Sequence, residues 1–471
     1  MGNYALPENV GILGIEFYFP KNYVKQTRLA EYMNVAPAKY TEGFGQDEMG
    51  FCGDSEDANS LALTVTQQLL ENYKIDPMTI GYMAVGTESE TDKSKSVKTY
   101  LMDLFKESGN HDIRGVDMKN ACYGGTAALE ACIMWVNTFQ FEKKMAIAVM
   151  TDVAVYENGP ARPTGGAGAI AMLIGVDAPI VFCRATGNYM KNNNDFCKPL
   201  RPRNTEYPVV NGQTSLEAYF GALDECYITF KKKMKEYCNE EVSLASFDSV
   251  AFHCPFARLV EKALGRLLLT DFINEKFMVD EITLAKVSEY TKEDLMDYYS
   301  SDRGFMSIWL NSSSVKSEWT GKTLANLEFN KRIGNMYTPS LYAQLIGLIA
   351  RLPESFEQHR VLLFSYGSGS CSGMFSYMIT PGSSLIQMRK SAEEALRRLD
   401  DRVEFSAEDF STILKTREGI LEKDVPKKPD STWLKKLTMF PGTYYLKQVD
   451  GNYVRAYDRH IDNAGEENGQ L

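Results

Sequence analysis

An α/β fold built from two similar halves is predicted by three features of the 471-residue sequence. Short apolar, β-branched runs punctuated by glycine alternate with longer stretches of helical periodicity. A strand ending on a chemically useful side chain, a helix opening and a glycine run beside a strand recur in that order in each half. The length, finally, accommodates two domains or one large duplicated unit.

The elements follow from local pattern. Strands are expected at 10–19, 82–85, 146–150, 169–174 and 180–183, where apolar residues run without helical spacing. Helices are expected at 60–70, 124–136 and 215–237. In the second half, 249–252 and 361–365 read as strands, and 256–272 and 340–352 as helices. A charged stretch at 393–402 reads as a peripheral helix. Pro441-Gly442-Thr443 opens an aromatic strand at 444–449, with Asp450-Gly451 as a hairpin turn. The expected division is a first half at 1–185 carrying a nucleophilic cysteine and a second half at 186–460 carrying a histidine and an asparagine. The second half includes the peripheral helices and the hairpin. A polar tail occupies 461–471.

Composition narrows the function classes. With 51 basic and 62 acidic residues the formal net charge is −11, which argues against nucleic-acid binding. A local basic rim for a small anionic ligand is still compatible with it. The nine cysteines are scattered singles with no CxxC pair, so neither a disulfide framework nor a zinc site is suggested, and a reducing compartment fits. No run of about 18 apolar residues occurs, so no membrane partner is expected. The first residues lack a signal-peptide, transit-peptide or myristoylation pattern, which makes the cytosol the expected compartment.

Cys122, in Asn120-Ala121-Cys122-Tyr123-Gly124-Gly125-Thr126-Ala127-Ala128, carries the strongest chemical signal. A thiol at a helix start meets unpaired N–H groups and the positive end of the macrodipole, which favour thiolate. Gly124 and Gly125 leave room for a ligand or another backbone segment. The competing reading is a buried packing cysteine. Glu88 ends Val85-Gly86-Thr87-Glu88, at a strand end where α/β proteins build sites. Partial burial there would raise its pKa toward that of a general base or acid; a solvated loop glutamate is the alternative. His253, in Val250-Ala251-Phe252-His253-Cys254-Pro255, also ends a strand and has only three other histidines as competitors. It reads equally as a structural, hydrogen-bonded histidine. Arg258 and Lys262 follow it on a helix. Gly367-Ser368-Gly369 lacks the Lys-Ser or Lys-Thr of a phosphate-binding P-loop, and fits better as a turn whose N–H groups face a carbonyl oxygen.

Together these residues bring a family into view. The chain resembles the eukaryotic-type 3-hydroxy-3-methylglutaryl-CoA (HMG-CoA) synthases of the thiolase superfamily. The resemblance rests on Lys39-Tyr40-Thr41, Met49-Gly50-Phe51-Cys52, Val85 to Glu88, Asp92 to Thr99, Asn120 to Ala128 and Asp152 to Tyr156. It continues through Ala161 to Gly166, Tyr219 with Ala222-Leu223-Asp224, Gly334 to Ser340, Phe364 to Gly369 and Gly442 to Leu446.

What the resemblance implies is a thiolase-like, five-layer αβαβα fold, a homodimer and the condensation of acetyl-CoA with acetoacetyl-CoA and water to HMG-CoA and CoA. That step feeds the mevalonate pathway of isoprenoid synthesis. Neither metal nor redox cofactor is implied; the CoA thioesters are substrates. The resemblance makes Cys122 the nucleophile, Glu88 the acid/base and His253 a contact of acetoacetyl-CoA. It gives substrate-contacting positions to Lys39, Asp152, Thr164, Asp195, Ser215, Arg258, Lys262, Asn335, Tyr366 and Ser368. Two positions depart from the family pattern: Pro160 stands where relatives often carry Asn, and Arg258 where Lys is common, keeping the charge with a different geometry. The rival enzyme class, a thiolase or ketoacyl synthase, pairs its cysteine with two histidines or with a histidine and a second cysteine. A degenerate scaffold or acyl-CoA-binding relative would have lost Cys122, Glu88 or His253.

Overall fold

A computed structural model of the chain describes residues 9–199, 205–422, 425–430 and 438–461. The first eight residues and the expected polar tail beyond Ile461 lie outside the described residues. The first half supplies β1 (Gly11–Tyr18), β2 (Ile80–Gly86), β3 (Asp117–Met118), β4 (Met145–Ala154) and β5 (Gly166–Gly175). Then come β6 (Ile180–Phe182), β7 (Gly187–Met190) and a two-stranded ribbon of β8 (Phe196–Cys197) and β9 (Val209–Val210). The second half completes the sheet with β10 (Ser249–Phe252), β11 (His359–Gly367) and β12 (Cys371–Ile379).

Their pairing reveals the duplication that the residues themselves do not spell out. In the first half β1–β5 and β5–β4 are antiparallel, and β4–β2 and β2–β3 parallel. In the second, β6–β12 and β12–β11 are antiparallel and β11–β10 parallel. An antiparallel β1–β6 pair joins the halves, so ten strands run in the order β10-β11-β12-β6-β1-β5-β4-β2-β3, with β7 on β12. β6, which the 1–185 boundary places with the first half, therefore holds in the second half the place that β1 holds in the first. Both faces of β2, β4 and β5 are covered, which explains why these strands read as nearly unbroken apolar runs.

The helices repeat as well. α1 (Ala58–Asn72) links β1 to β2, and α2 (Gly124–Thr138) stands between β3 and β4. α3 (Gly212–Cys238) precedes β10, and α4 (Ala257–Ile273) and α5 (Ser340–Arg351) stand between β10 and β11. α1 is opened by a reciprocal cap, Asp57 accepting from Ser60 N–H while the Ser60 hydroxyl receives Asp57 N–H. α2 and α5 meet where Thr126 Oγ1 lies 2.8 Å from Tyr342 Oη. Each is preceded, three residues upstream of its first residue, by a non-glycine residue at positive φ: Ala121 at 44° and Tyr337 at 53°.

The charged helix differs from expectation. α6 (Ser383–Asp400) begins ten residues earlier than 393 and is no peripheral element. Leu385, Met388, Ala392, Ala395 and Leu399 form a buried stripe with helical spacing that packs onto β1. Arg398, itself buried, donates to the Phe17 carbonyl at 2.7 Å. The surrounding charges hide that stripe from a reading of composition. The long strand β12 also goes unread, because Ser372, Gly373 and Ser376 interrupt its apolar pattern.

Candidate active site

The site forms where the ends of β2 and β10 meet the turns that open α2 and α5. Gly86, last in β2, is pressed on the start of α2: a Cβ there would lie 2.4 Å from both Gly124 O and Gly125 N. Gly125 in turn has Thr338 O 3.0 Å from where its Cβ would be. The glycine pair thus serves close backbone packing. Cys122 sits two residues before α2 on the turn led by Ala121, in contact with Tyr156 and Tyr337.

Glu88 follows β2 and points to that turn. The thiol of Cys122 donates to Glu88 Oε1 at 3.1 Å. Burial lifts the Glu88 carboxyl to about 7, with Lys198 pulling it down and Asp152 pushing it up. Burial, and after it the Glu88 charge, push the Cys122 thiol well above its usual range. The expectation of a resting thiolate is therefore corrected: the helix starts too late to claim the sulfur, and burial beside a carboxylate favours S–H. Activation has to come through the proton on that short Cys122–Glu88 contact.

Asp152, wholly buried in β4, holds the arrangement together. Its Oδ1 accepts from Thr87 Oγ1 at 3.1 Å, Glu88 N at 2.8 Å and Ser89 Oγ at 2.8 Å. Its Oδ2 accepts from Thr338 N at 3.0 Å and from the Thr338 hydroxyl. With both oxygens engaged by the chain, Asp152 positions Glu88 and ties the first half to the turn before α5. Asp195 is similarly occupied. It accepts from Ser215 Oγ at 3.2 Å, Tyr366 Oη at 3.1 Å and Gly369 N at 3.1 Å, so three expected substrate contacts, Asp195, Ser215 and Tyr366, form one cluster.

The loop at Gly367-Ser368 packs on the nucleophile turn. A Cβ on Gly367 would lie 2.5 Å from Asn120 O and Tyr123 N, and Asn120 Nδ2 donates to Ser368 O at 3.2 Å. Asn335 is held by Tyr337 N and Ser340 Oγ on its Oδ1, and its own N–H donates to Thr164 O at 3.1 Å. His253 is fixed through its backbone, N–H to Phe364 O at 2.7 Å and carbonyl from Tyr219 Oη at 2.9 Å. Its buried ring has no hydrogen-bond partner among the described residues, and burial lowers it to about 3, so the imidazole is neutral.

Three expected basic contacts lie on other elements. Lys39 is exposed on a single turn, Ala38–Thr41. The following loop meets the start of α4, where Arg258 N donates to Phe44 O at 3.0 Å. Arg258 also pairs with Glu261. Lys262 is half-buried and lowered by burial and by the neighbouring Arg258 and Arg303. Three residues of the site go unread in the sequence. Tyr156 and Tyr337 make an aromatic wall with ring centroids 6.3 Å apart, and Lys198 reaches Glu88 from the β8–β9 ribbon. Among the described residues no group of His, Cys, Asp and Glu has the arrangement of a metal site.

Two family models together span this geometry: hydroxymethylglutaryl-coenzyme A synthase N terminal over residues 6–179 and its C-terminal counterpart over 180–460. The chain belongs to the HMG-CoA synthase family. The hydroxymethylglutaryl-CoA synthase of Caenorhabditis elegans is 43% identical over 470 residues, covering 99% of this chain and 98% of the relative. The cytoplasmic enzyme of Gallus gallus and the mitochondrial one of Mus musculus are each 40% identical, over 96% of this chain and 87% and 90% of theirs. A solved structure described as MvaS in complex with 3-hydroxy-3-methylglutaryl coenzyme A superposes with a TM-score of 0.79 at 27% identity, covering 96% of this chain and 99% of that one. Members of the HMG-CoA synthase family are acyl-transferring condensing enzymes with the thiolase-like fold, and the duplicated sheet described above is that fold.

Proposed function

We propose that this chain condenses acetyl-CoA with acetoacetyl-CoA and water to give HMG-CoA and CoA through an acetyl-Cys122 intermediate. The observation that carries the reading is the 3.1 Å contact of a half-buried thiol with a carboxyl poised near neutrality. The Cys122 proton passes to Glu88, the sulfur attacks the acetyl thioester, and CoA leaves with a proton. Glu88, again ionised, removes a proton from the acetyl methyl. N–H groups of the Cys122 turn and of the Gly367-Ser368 loop stabilise the enolate oxygen. The enolate adds to the ketone of acetoacetyl-CoA, and the new alkoxide takes the proton back from Glu88. Water then cleaves the thioester to Cys122.

A neutral His253 suits an N–H donor to the ketone oxygen better than an imidazolium acid, since its charged form is disfavoured by burial. Asn335 and Thr164 border the same turn. Lys39, Arg258 and Lys262 make a rim for the anionic end of CoA. Against the thiolase and ketoacyl-synthase reading stands the carboxyl, not a second histidine or cysteine, on the sulfur. We also propose a homodimer in the cytosol, serving isoprenoid synthesis; nine free thiols suit a reducing compartment, and no described helix is long and apolar enough to cross a membrane.

The test is direct assay of the purified chain with both thioesters and mass-spectrometric detection of product. HMG-CoA that requires acetoacetyl-CoA and vanishes in Cys122→Ala supports the reading. Cleavage of acetoacetyl-CoA to acetyl-CoA instead would make the chain a thiolase, and no turnover would leave an acyl-CoA-binding scaffold.

A further inference from the structure

Lys198 lies 110 residues from Glu88 in the chain, yet its ammonium converges on that residue twice. Nζ donates to the Glu88 carbonyl oxygen at 3.3 Å and stands 3.7 Å from Oε2, the oxygen not engaged by Cys122. It also lies 4.4 Å from the centre of the Tyr337 ring, on the aromatic wall. The side chain is only 19% exposed against 6% for Glu88, so the pair is poorly screened by solvent. Lys198 extends from β8, whose Phe196 ring packs edge-on against Tyr337 with centroids 6.0 Å apart. Just upstream of β8, Asp195 binds Ser215, Tyr366 and Gly369. The same short segment thus fixes both the Gly367-Ser368 loop and the base.

We propose that Lys198 is a positioning residue for the condensation step: it clamps the outer oxygen and the backbone of Glu88 so that Oε1 stays on the reacting atoms at Cys122. This rests on the acetyl-Cys122 reading. The charged and titratable groups facing Glu88 are Asp152 from β4, Cys122 from the turn before α2, Lys198, and the hydroxyls of Tyr156 and Tyr337. Among them Lys198 is the single cation. Two carboxyls share this pocket, so without Lys198 the Glu88 carboxylate has only Asp152 as a charged neighbour, which disfavours its ionised form. A cation here favours the base in two ways, by charge and by orientation.

The test compares Lys198→Met and Lys198→Arg with the parent full-length enzyme, each checked for fold by circular dichroism. Two readouts are taken: acetylation of Cys122 by acetyl-CoA alone, and single-turnover condensation of the acetyl-enzyme with acetoacetyl-CoA across pH. K198M is expected to acetylate Cys122 to completion but to condense about 10- to 100-fold more slowly, part of what a general base supplies. Its acid limb should move up in pH, because Glu88 then holds its proton more tightly. K198R, which keeps charge and reach, should recover most of the rate and return the limb to its parent position. Lys198→Gln serves as a second neutral variant should K198M misfold. Parent-like condensation with an unmoved acid limb in the neutral variants would overturn the proposal. So would an equal loss of acetylation and condensation. A parent enzyme that never acetylates Cys122 would instead sink the underlying reading, and the parent control distinguishes the two failures.

Discussion

Glu88 and Cys122 are 34 residues apart in the chain and 3.1 Å apart in space. Both are legible in the sequence, because a strand end and a helix start are where an α/β fold presents side chains to a ligand. The protonation state is not legible. Helix position argues for thiolate, whereas the folded chain buries the sulfur beside a carboxyl and reverses the sign. Tyr156, Tyr337 and Lys198 show why the rest of the site stays hidden: each reaches it through tertiary contacts across distant segments. Glu88→Ala removes the acceptor of the Cys122 proton as well as the condensation base and leaves the thiol desolvated, so acetylation should slow while condensation falls further, by about 10²- to 10⁴-fold; rapid-quench assays of the two half-reactions check this. The Glu88 carboxyl is raised by burial to about 7, so its base form is lost as pH falls through 7. Condensation in the parent enzyme should therefore show an acid limb near pH 7, read from single-turnover rates. A limb near pH 4.5, where an exposed glutamate titrates, would remove the desolvation argument.

At the scale of elements, the long strands and helices around the site announce themselves, β2, β4 and β5 by unbroken apolar runs buried on both faces and α1 to α5 by apolar spacing. α6 does not, because its buried stripe from Leu385 to Leu399 is set among Arg389, Lys390, Glu393, Glu394 and Arg397. Met388→Ala should cost about 2–5 kcal/mol if that stripe packs on β1 as described, and far less if the helix were peripheral; urea unfolding decides. The β2–α2 contact is a close backbone junction of the site. Gly86→Ala would force backbone atoms of Gly124 and Gly125 away from a methyl 2.4 Å distant. It should reduce Cys122 acetylation along with thermal stability, whereas an alanine on the open, solvent-facing Gly159 should leave both unchanged.

At the scale of the molecule, the recurring order of landmarks makes the two-half architecture legible although no residue repeat is visible. What it cannot supply is the junction, because strand pairing across distant segments has no local signature. The halves share one sheet through β1–β6, and Asp152 bonds the loop after β2 to the turn before α5. The halves should therefore unfold together. Calorimetry is expected to give one transition with van't Hoff and calorimetric enthalpies in agreement, while two resolved transitions would show the halves to be independent.

The measurement closest to the central claim is intact and peptide mass spectrometry after acetyl-CoA, followed by a chase with acetoacetyl-CoA. An acetyl group on the Cys122 peptide that is consumed on the chase, with HMG-CoA appearing in equal amount, is the predicted result. An enzyme that makes HMG-CoA while Cys122 is never acetylated, or one whose acetyl-Cys122 persists through the chase, would contradict it.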